Sequence, residues 1–153
     1  MGDWTKTFEV RWADLDSNRH VRHTAYADYG THVRMSYLAS RGFDQERMVE
    51  LGFGAVILRE ENLYLKEVGA GDVLTYDLQV AGVSPEGSRF RLRHEARRGD
   101  GRVAVRITVE GGWLDLVERR LRPPPPGLRE AVADLPRSSD FEELPEYRQR
   151  SGT

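Results

Sequence analysis

From Ala55 to Val117 the chain offers four strand candidates in series, parted by turn signals, and the last three place apolar residues at every second position. Period two sends alternate side chains to opposite faces of a strand, so each of these three runs buries one face and wets the other. The runs are Ala55 to Val68, ended by Gly69-Ala70-Gly71-Asp72; Val73 to Val83, followed by Pro85-Glu86-Gly87; 88–97, followed by Gly99-Asp100-Gly101; and 102–117. Leu74, Tyr76, Leu78 and Val80 share one face of the second run, and Val103, Val105, Ile107 and Val109 one face of the fourth. In the third, Phe90, Leu92, His94 and Ala96 oppose Arg89, Arg91, Arg93 and Glu95. Turns this short suit antiparallel neighbours, which predicts a meander. Gly111-Gly112 inside the fourth run predicts a bulge or bend.

A further strand is expected at 7–13, where Phe8, Val10 and Trp12 alternate. The period then changes. Tyr26, Tyr29, Val33 and Tyr37 recur at helical spacing, predicting a helix over about 23–40 whose small residues Ala25, Ala27 and Gly30 allow close approach to a sheet. A short helix at 44–51 would take Asp44 as its N-cap. Pro123-Pro124-Pro125-Pro126 ends the sheet region, a short helix is expected at about 127–134, and the polar tail 136–153 reads as weakly structured. One long helix with a curved antiparallel sheet of five strands is an α+β pattern. We therefore expect one domain over 1–126, with 127–153 as a C-terminal short helix and polar tail.

Composition narrows the function classes. A net charge of -2 argues against non-specific nucleic-acid binding, which needs a basic face. The 153 residues include no cysteine, so disulfides, thiolate metal sites and a cysteine nucleophile are excluded. Met1-Gly2-Asp3-Trp4 lacks a basic region leading into an apolar run, and no apolar stretch approaches the roughly 20 residues of a membrane span. A cytoplasmic location without membrane partners is the expectation. Neither a Gly-rich phosphate loop with Lys nor a Gly-x-Ser-x-Gly elbow is present.

The chemistry concentrates in Asp14-Leu15-Asp16-Ser17-Asn18-Arg19-His20-Val21-Arg22-His23-Thr24-Ala25-Tyr26. Two acids and two histidines lie between a strand and the start of a helix. A carboxylate there can face the N–H groups that open the helix, pairing a nucleophile or base with an oxyanion site, as acyl transfer requires. Asp16 could equally be a turn or N-cap residue, Asp14 a brace for the loop, His20 a loop-orienting or satisfied half-buried group, and His23 an ordinary first-turn residue. A metal held by Asp14, Asp16, His20 and His23 is disfavoured, because acids two apart on an extended segment point away from each other; no metal is expected.

These residues resemble a known family. Val10-Arg11-Trp12-Ala13-Asp14-Leu15-Asp16 through Tyr26 is similar to the signature of 4-hydroxybenzoyl-CoA-type acyl-CoA thioesterases, which have the hotdog fold. Leu63-Tyr64-Leu65-Lys66-Glu67-Val68-Gly69-Ala70-Gly71-Asp72 resembles that family's second strand and turn, and Gly112-Trp113-Leu114-Asp115 its last strand. The resemblance implies a hotdog fold over about 6–126 and hydrolysis of an acyl-CoA thioester to free acid and coenzyme A, with no bound cofactor. It assigns Asp16 as nucleophile or general base, and His23 as the helix-start residue whose N–H binds the thioester oxygen and whose imidazole assists chemistry in some members. Trp12 stands where some members have Tyr, and Arg19 where the family usually has Gly. Asn18, His20 and Tyr26 are the expected substrate contacts in and beside the loop. Arg89 and Arg91 are either a solvated strand face or contacts for the phosphates of coenzyme A. A homodimer or homotetramer with the site between subunits is also implied. The alternatives are a thioesterase for acyl carrier protein substrates, favoured by a basic patch at the pocket mouth, and a non-catalytic acyl-ligand-binding hotdog protein, which Arg19 keeps open.

Overall fold

A computed structural model describes residues 3–146. The strands are β1 (Thr5–Glu9), β2 (Phe53–Tyr64), β3 (Val73–Asp77), β4 (Gln79–Val83), β5 (Arg89–Arg97), β6 (Val103–Asp115), β7 (Arg120–Leu121) and β8 (Arg137–Glu143). The helices are α1 (His23–Ser40), α2 (Gln45–Leu51) and α3 (Pro126–Ala133), with a 3-10 turn at Trp12–Asp14. All the strands join one sheet that curls round α1, so the α+β expectation holds, with eight strands where five were expected and three helices.

The extra strands have local causes. The run Val73 to Val83 divides at Leu78: β3 pairs with β1 and β5, whereas β4 pairs with β5 and β8. The tail expected to be weakly structured supplies β8, parallel to β4. Gly82 permits this docking, since a Cβ there would lie 2.9 Å from the Glu142 carbonyl oxygen. The part of the tail beyond Glu146 lies outside the described residues.

The meander is partly reordered. β4, β5 and β6 follow as antiparallel hairpin neighbours, yet β2 pairs with β6 and not with β3. The chain between them crosses the start of α1, where Val21 N–H donates to the Val68 carbonyl (2.7 Å) and Val10 N–H to Asp72 (3.1 Å). The irregularity expected at Gly111-Gly112 falls on the facing strand, between Ile57 and Arg59 of β2. Trp12 departs from the expected strand face: it begins the 3-10 turn and is 88% exposed.

Burial of α1 follows its pattern. Tyr26, Tyr29, Val33 and Tyr37 are all in the core, against Leu74, Tyr76, Ile107 and Val109 of the sheet. Phe8 stacks on Tyr29 with centroids 4.8 Å apart, and the Tyr76 hydroxyl donates to the Tyr26 carbonyl at 3.0 Å. Each such fully buried apolar side chain contributes roughly 1.5–3 kcal/mol. The sheet therefore holds α1 rigidly, and with it the loop that enters its first turn.

Candidate active site

The loop between β1 and α1 separates its two acids. Asp14 turns inward and is buried. Arg11 donates to it through Nε (3.0 Å) and Nη2 (3.1 Å), Arg22 through Nη1 (3.3 Å), and the Tyr29 hydroxyl also donates to it. Those bonds, led by Arg11, hold its carboxyl below the usual carboxylate range. Asp14 is thus committed to bracing the loop.

Asp16 is exposed and closes a tight turn. Its Oδ1 accepts the N–H of Asn18 (2.8 Å) and of His20 (3.2 Å), while its own N–H donates to the His20 carbonyl (2.8 Å). Among the described residues Oδ2 has no protein donor. Arg19 takes φ 63, the left-handed conformation that glycine adopts freely, so an Arg where the resembling family has Gly still makes the turn. His20 extends the loop by bridging to Gly69, and its Nε2 lies 3.4 Å from Glu67 Oε2.

The helix then opens at His23. Arg22 is its N-cap residue, with no side-chain cap, and the first acceptor bond runs from Ala25 N–H to the Arg22 carbonyl (3.0 Å). The N–H groups of His23 and Thr24 are therefore left pointing out of the helix, at its positive end. His23 is exposed, and its ring lies edge-on to Tyr64, 6.3 Å between centroids. Tyr64 also tilts against Tyr26 at 5.8 Å and donates to the His23 carbonyl at 3.4 Å. Burial first, then the charges of Tyr64 and Asp16, push the Tyr26 hydroxyl up to about 12, so this phenol stays protonated.

Asp16, Asn18 and His20 are thus linked within one turn, and His23, Tyr26 and Tyr64 form an aromatic corner on which the charge of Asp16 acts. Tyr64 was not singled out from the sequence; only its place in the run resembling the family's second strand pointed to it. Arg89 and Arg91 lie elsewhere, on the sheet face opposite α1. Arg91 is paired with Glu110 and Glu142 (both 2.6 Å), and Arg89 donates to the Pro145 carbonyl (2.9 Å). The Arg91 guanidinium is thus shared between carboxylates of β6 and β8, and one Arg89 donor is taken by the C-terminal segment, contacts that compete with a phosphate role. Among the described residues no three His, Cys, Asp or Glu side chains converge on a metal position, and no helix is long and apolar enough to cross a membrane.

The sequence profile of the Thioesterase-like superfamily matches residues 10–132. No curated protein matches the chain significantly. Among solved structures, a hypothetical protein SAV2348 from Staphylococcus aureus in complex with CoA is similar at TM-score 0.81 and 21% identity, over 98% of this chain and 90% of that one. Slr0204, a 1,4-dihydroxy-2-naphthoyl-CoA thioesterase from Synechocystis, aligns at TM-score 0.77 and 20% identity, over 88% and 98%. YbaW, a probable thioesterase from Escherichia coli, aligns at TM-score 0.75 and 19% identity, over 86% and 98%. At these identities the likeness establishes the fold, which is the hotdog fold.

Proposed function

The chain belongs to the thioesterase-like superfamily and is a thioester hydrolase; we propose that its substrates are acyl-CoA thioesters, cleaved at the start of α1. One observation carries the reading: an exposed carboxylate, Asp16, is fixed by two backbone N–H groups beside a helix start that no side chain caps. The thioester carbonyl would lie against the N–H groups of His23 and Thr24. Asp16 Oδ2 would attack the carbonyl carbon or take a proton from an attacking water. The tetrahedral oxyanion gains from the two N–H donors and the helix dipole, and its collapse expels the coenzyme A thiolate. In the nucleophilic variant, water then cleaves the acyl-aspartyl anhydride. The CoA-bound Staphylococcus aureus structure supports coenzyme A as the leaving group. No resident cofactor is required.

Assembly belongs to the same reading. β2 pairs only with β6 among the described residues and exposes Ile57, Leu58, Leu63 and Tyr64. A free edge with apolar side chains invites pairing with a second copy, and a homodimer would bring that copy beside Tyr64. The test of the site is Asp16→Asn, which keeps the Oδ1 acceptor and removes the charge. Turnover should fall by about 10²–10⁴-fold. A loss of less than about tenfold would remove Asp16 from the chemistry.

A further inference from the structure

A groove of about 750 Å³ lies between α1, α2 and the first half of β2. Its walls are mostly apolar, with Met35, Leu38, Met48, Phe53 and Trp113 among them, yet Arg34 also lines it. Arg34 is only 6% exposed. Its Nη1 lies 3.0 Å from His94 Nε2, and its Nη2 donates to Thr31 Oγ1 at 3.1 Å. His94 Nδ1 is 2.7 Å from the Asp77 carbonyl, so Nδ1 carries the proton and Nε2 offers its lone pair to Arg34. His94 is thus a neutral acceptor, and burial pushes its pKa down to about 4. Among the described residues no carboxylate lies within ion-pair distance of Arg34; Glu60 reaches it only through longer-range charge. A buried guanidinium with five N–H donors and no paired anion is a costly arrangement unless a ligand completes it.

The position of this cation fits the proposed catalytic corner. Helical side chains lean toward the N-terminus, and a Cβ on Gly30 would sit 3.4 Å from Arg34 Nη1. The guanidinium therefore lies about 10 Å along α1 from His23. On the facing strand, the irregularity after Ile57 sets Glu60, Asn62 and Tyr64 opposite Val109, Ile107 and Val105, all core residues. Those three side chains accordingly share the face turned to α1. Tyr64 stands at His23, Glu60 acts on Arg34, and Asn62 lies between them with Oδ1 buried and unpartnered. The groove with its cationic wall thus begins about 10 Å along α1 from the proposed site, and Asn62 and Tyr64 stand on the intervening stretch of β2.

We propose that the cleft between α1 and β2 receives an acyl group whose far end bears a carboxylate, that Arg34 reads this carboxylate, and that the substrates are therefore ω-carboxyacyl-CoA esters. This rests on the acyl-CoA reading above. The guanidinium has unused donors in fork geometry for a planar carboxylate. The apolar walls of the groove hold the methylenes.

The experiment compares kcat/KM for three CoA esters of one chain length, ending in a carboxylate, its methyl ester or a plain methyl group. The carboxylate ester should be preferred over both others by about tenfold or more. Arg34→Met should bring that ratio down to about one or below, and Arg34→Lys should retain part of it. The wild-type ratio stands as a test even if the variants fold poorly. Hydrolysis of all three esters at equal rates, or an unchanged ratio in Arg34→Met, overturns this proposal alone and leaves the groove to the second subunit. Failure to hydrolyse any of the three overturns the acyl-CoA reading with it.

Discussion

Replacing each acid of the loop by its amide should separate stability from catalysis. The side chain of Asp14 is 3% exposed and accepts from two arginines and a tyrosine. In Asp14→Asn the Tyr29 hydroxyl keeps an acceptor, but the new NH2 group faces guanidinium donors. Charge-assisted bonds of this kind contribute about 1.5–3 kcal/mol each. The Arg11 side chain is 71% exposed and that of Arg22 36%, so both turn to water once released and the losses do not add. We expect Asp14→Asn to cost about 2–3 kcal/mol of stability in total. Asp16→Asn keeps both backbone bonds at an exposed site and should cost less than about 0.5 kcal/mol while lowering turnover by about 10²–10⁴-fold. Urea unfolding followed by tryptophan fluorescence measures the first quantity. A thiol-reactive chromogen measures the second without background, since the protein has no cysteine of its own. The reasoning fails if Asp14→Asn is as inactive as Asp16→Asn while fully stable, or if Asp16→Asn unfolds as readily as Asp14→Asn.

Three further outcomes are expected. His94 is wholly buried and its pKa is lowered to about 4, chiefly by desolvation, so the unfolded chain binds an extra proton between about pH 6.5 and 4. Its contribution, about 3 kcal/mol, should be present above pH 6.5 and lost as pH falls through that window; the slope of stability against pH should be shallower in His94→Gln. His23→Asn should keep most activity if the residue works through its N–H, whereas a loss of about a hundredfold with disappearance of the acid limb of the pH–rate profile would assign the imidazole. Light scattering at micromolar concentration should give a dimer or larger assembly, and a charge at Leu63, such as Leu63→Glu, should shift it toward monomer; a wild-type monomer would refute the β2-edge argument.

What could be seen in the sequence was what local pattern encodes. The alternation through Leu74–Val80 and Val103–Val109 marked strands because each buries one face, and the spacing of Tyr26, Tyr29, Val33 and Tyr37 marked α1 because all four lie in the core. The loop Asp14–His23 was legible for the same reason: its turn is closed by bonds between residues two to four apart. β8 escaped because its seven residues do not alternate and only Ser138 among them is buried. Its attachment instead joins acids two apart, Asp140 and Glu142, to basic residues two apart, Arg93 and Arg91. That matched spacing was present in the sequence, and one of these arginines, Arg91, was weighed there as a phosphate contact because nothing local named its partners. The cleft is the extreme case. Arg34 looks like a surface residue of a helix and Asn62 like the polar side of a strand until the irregularity beyond Ile57 turns Glu60, Asn62 and Tyr64 toward α1. A strand register altered by one residue reverses which side chains face inward. The chemistry proposed for the thioester lies in a loop written locally, and the part of the proposed site that would choose the acyl group depends on one bulge placing β2 against a helix some thirty residues earlier in the chain.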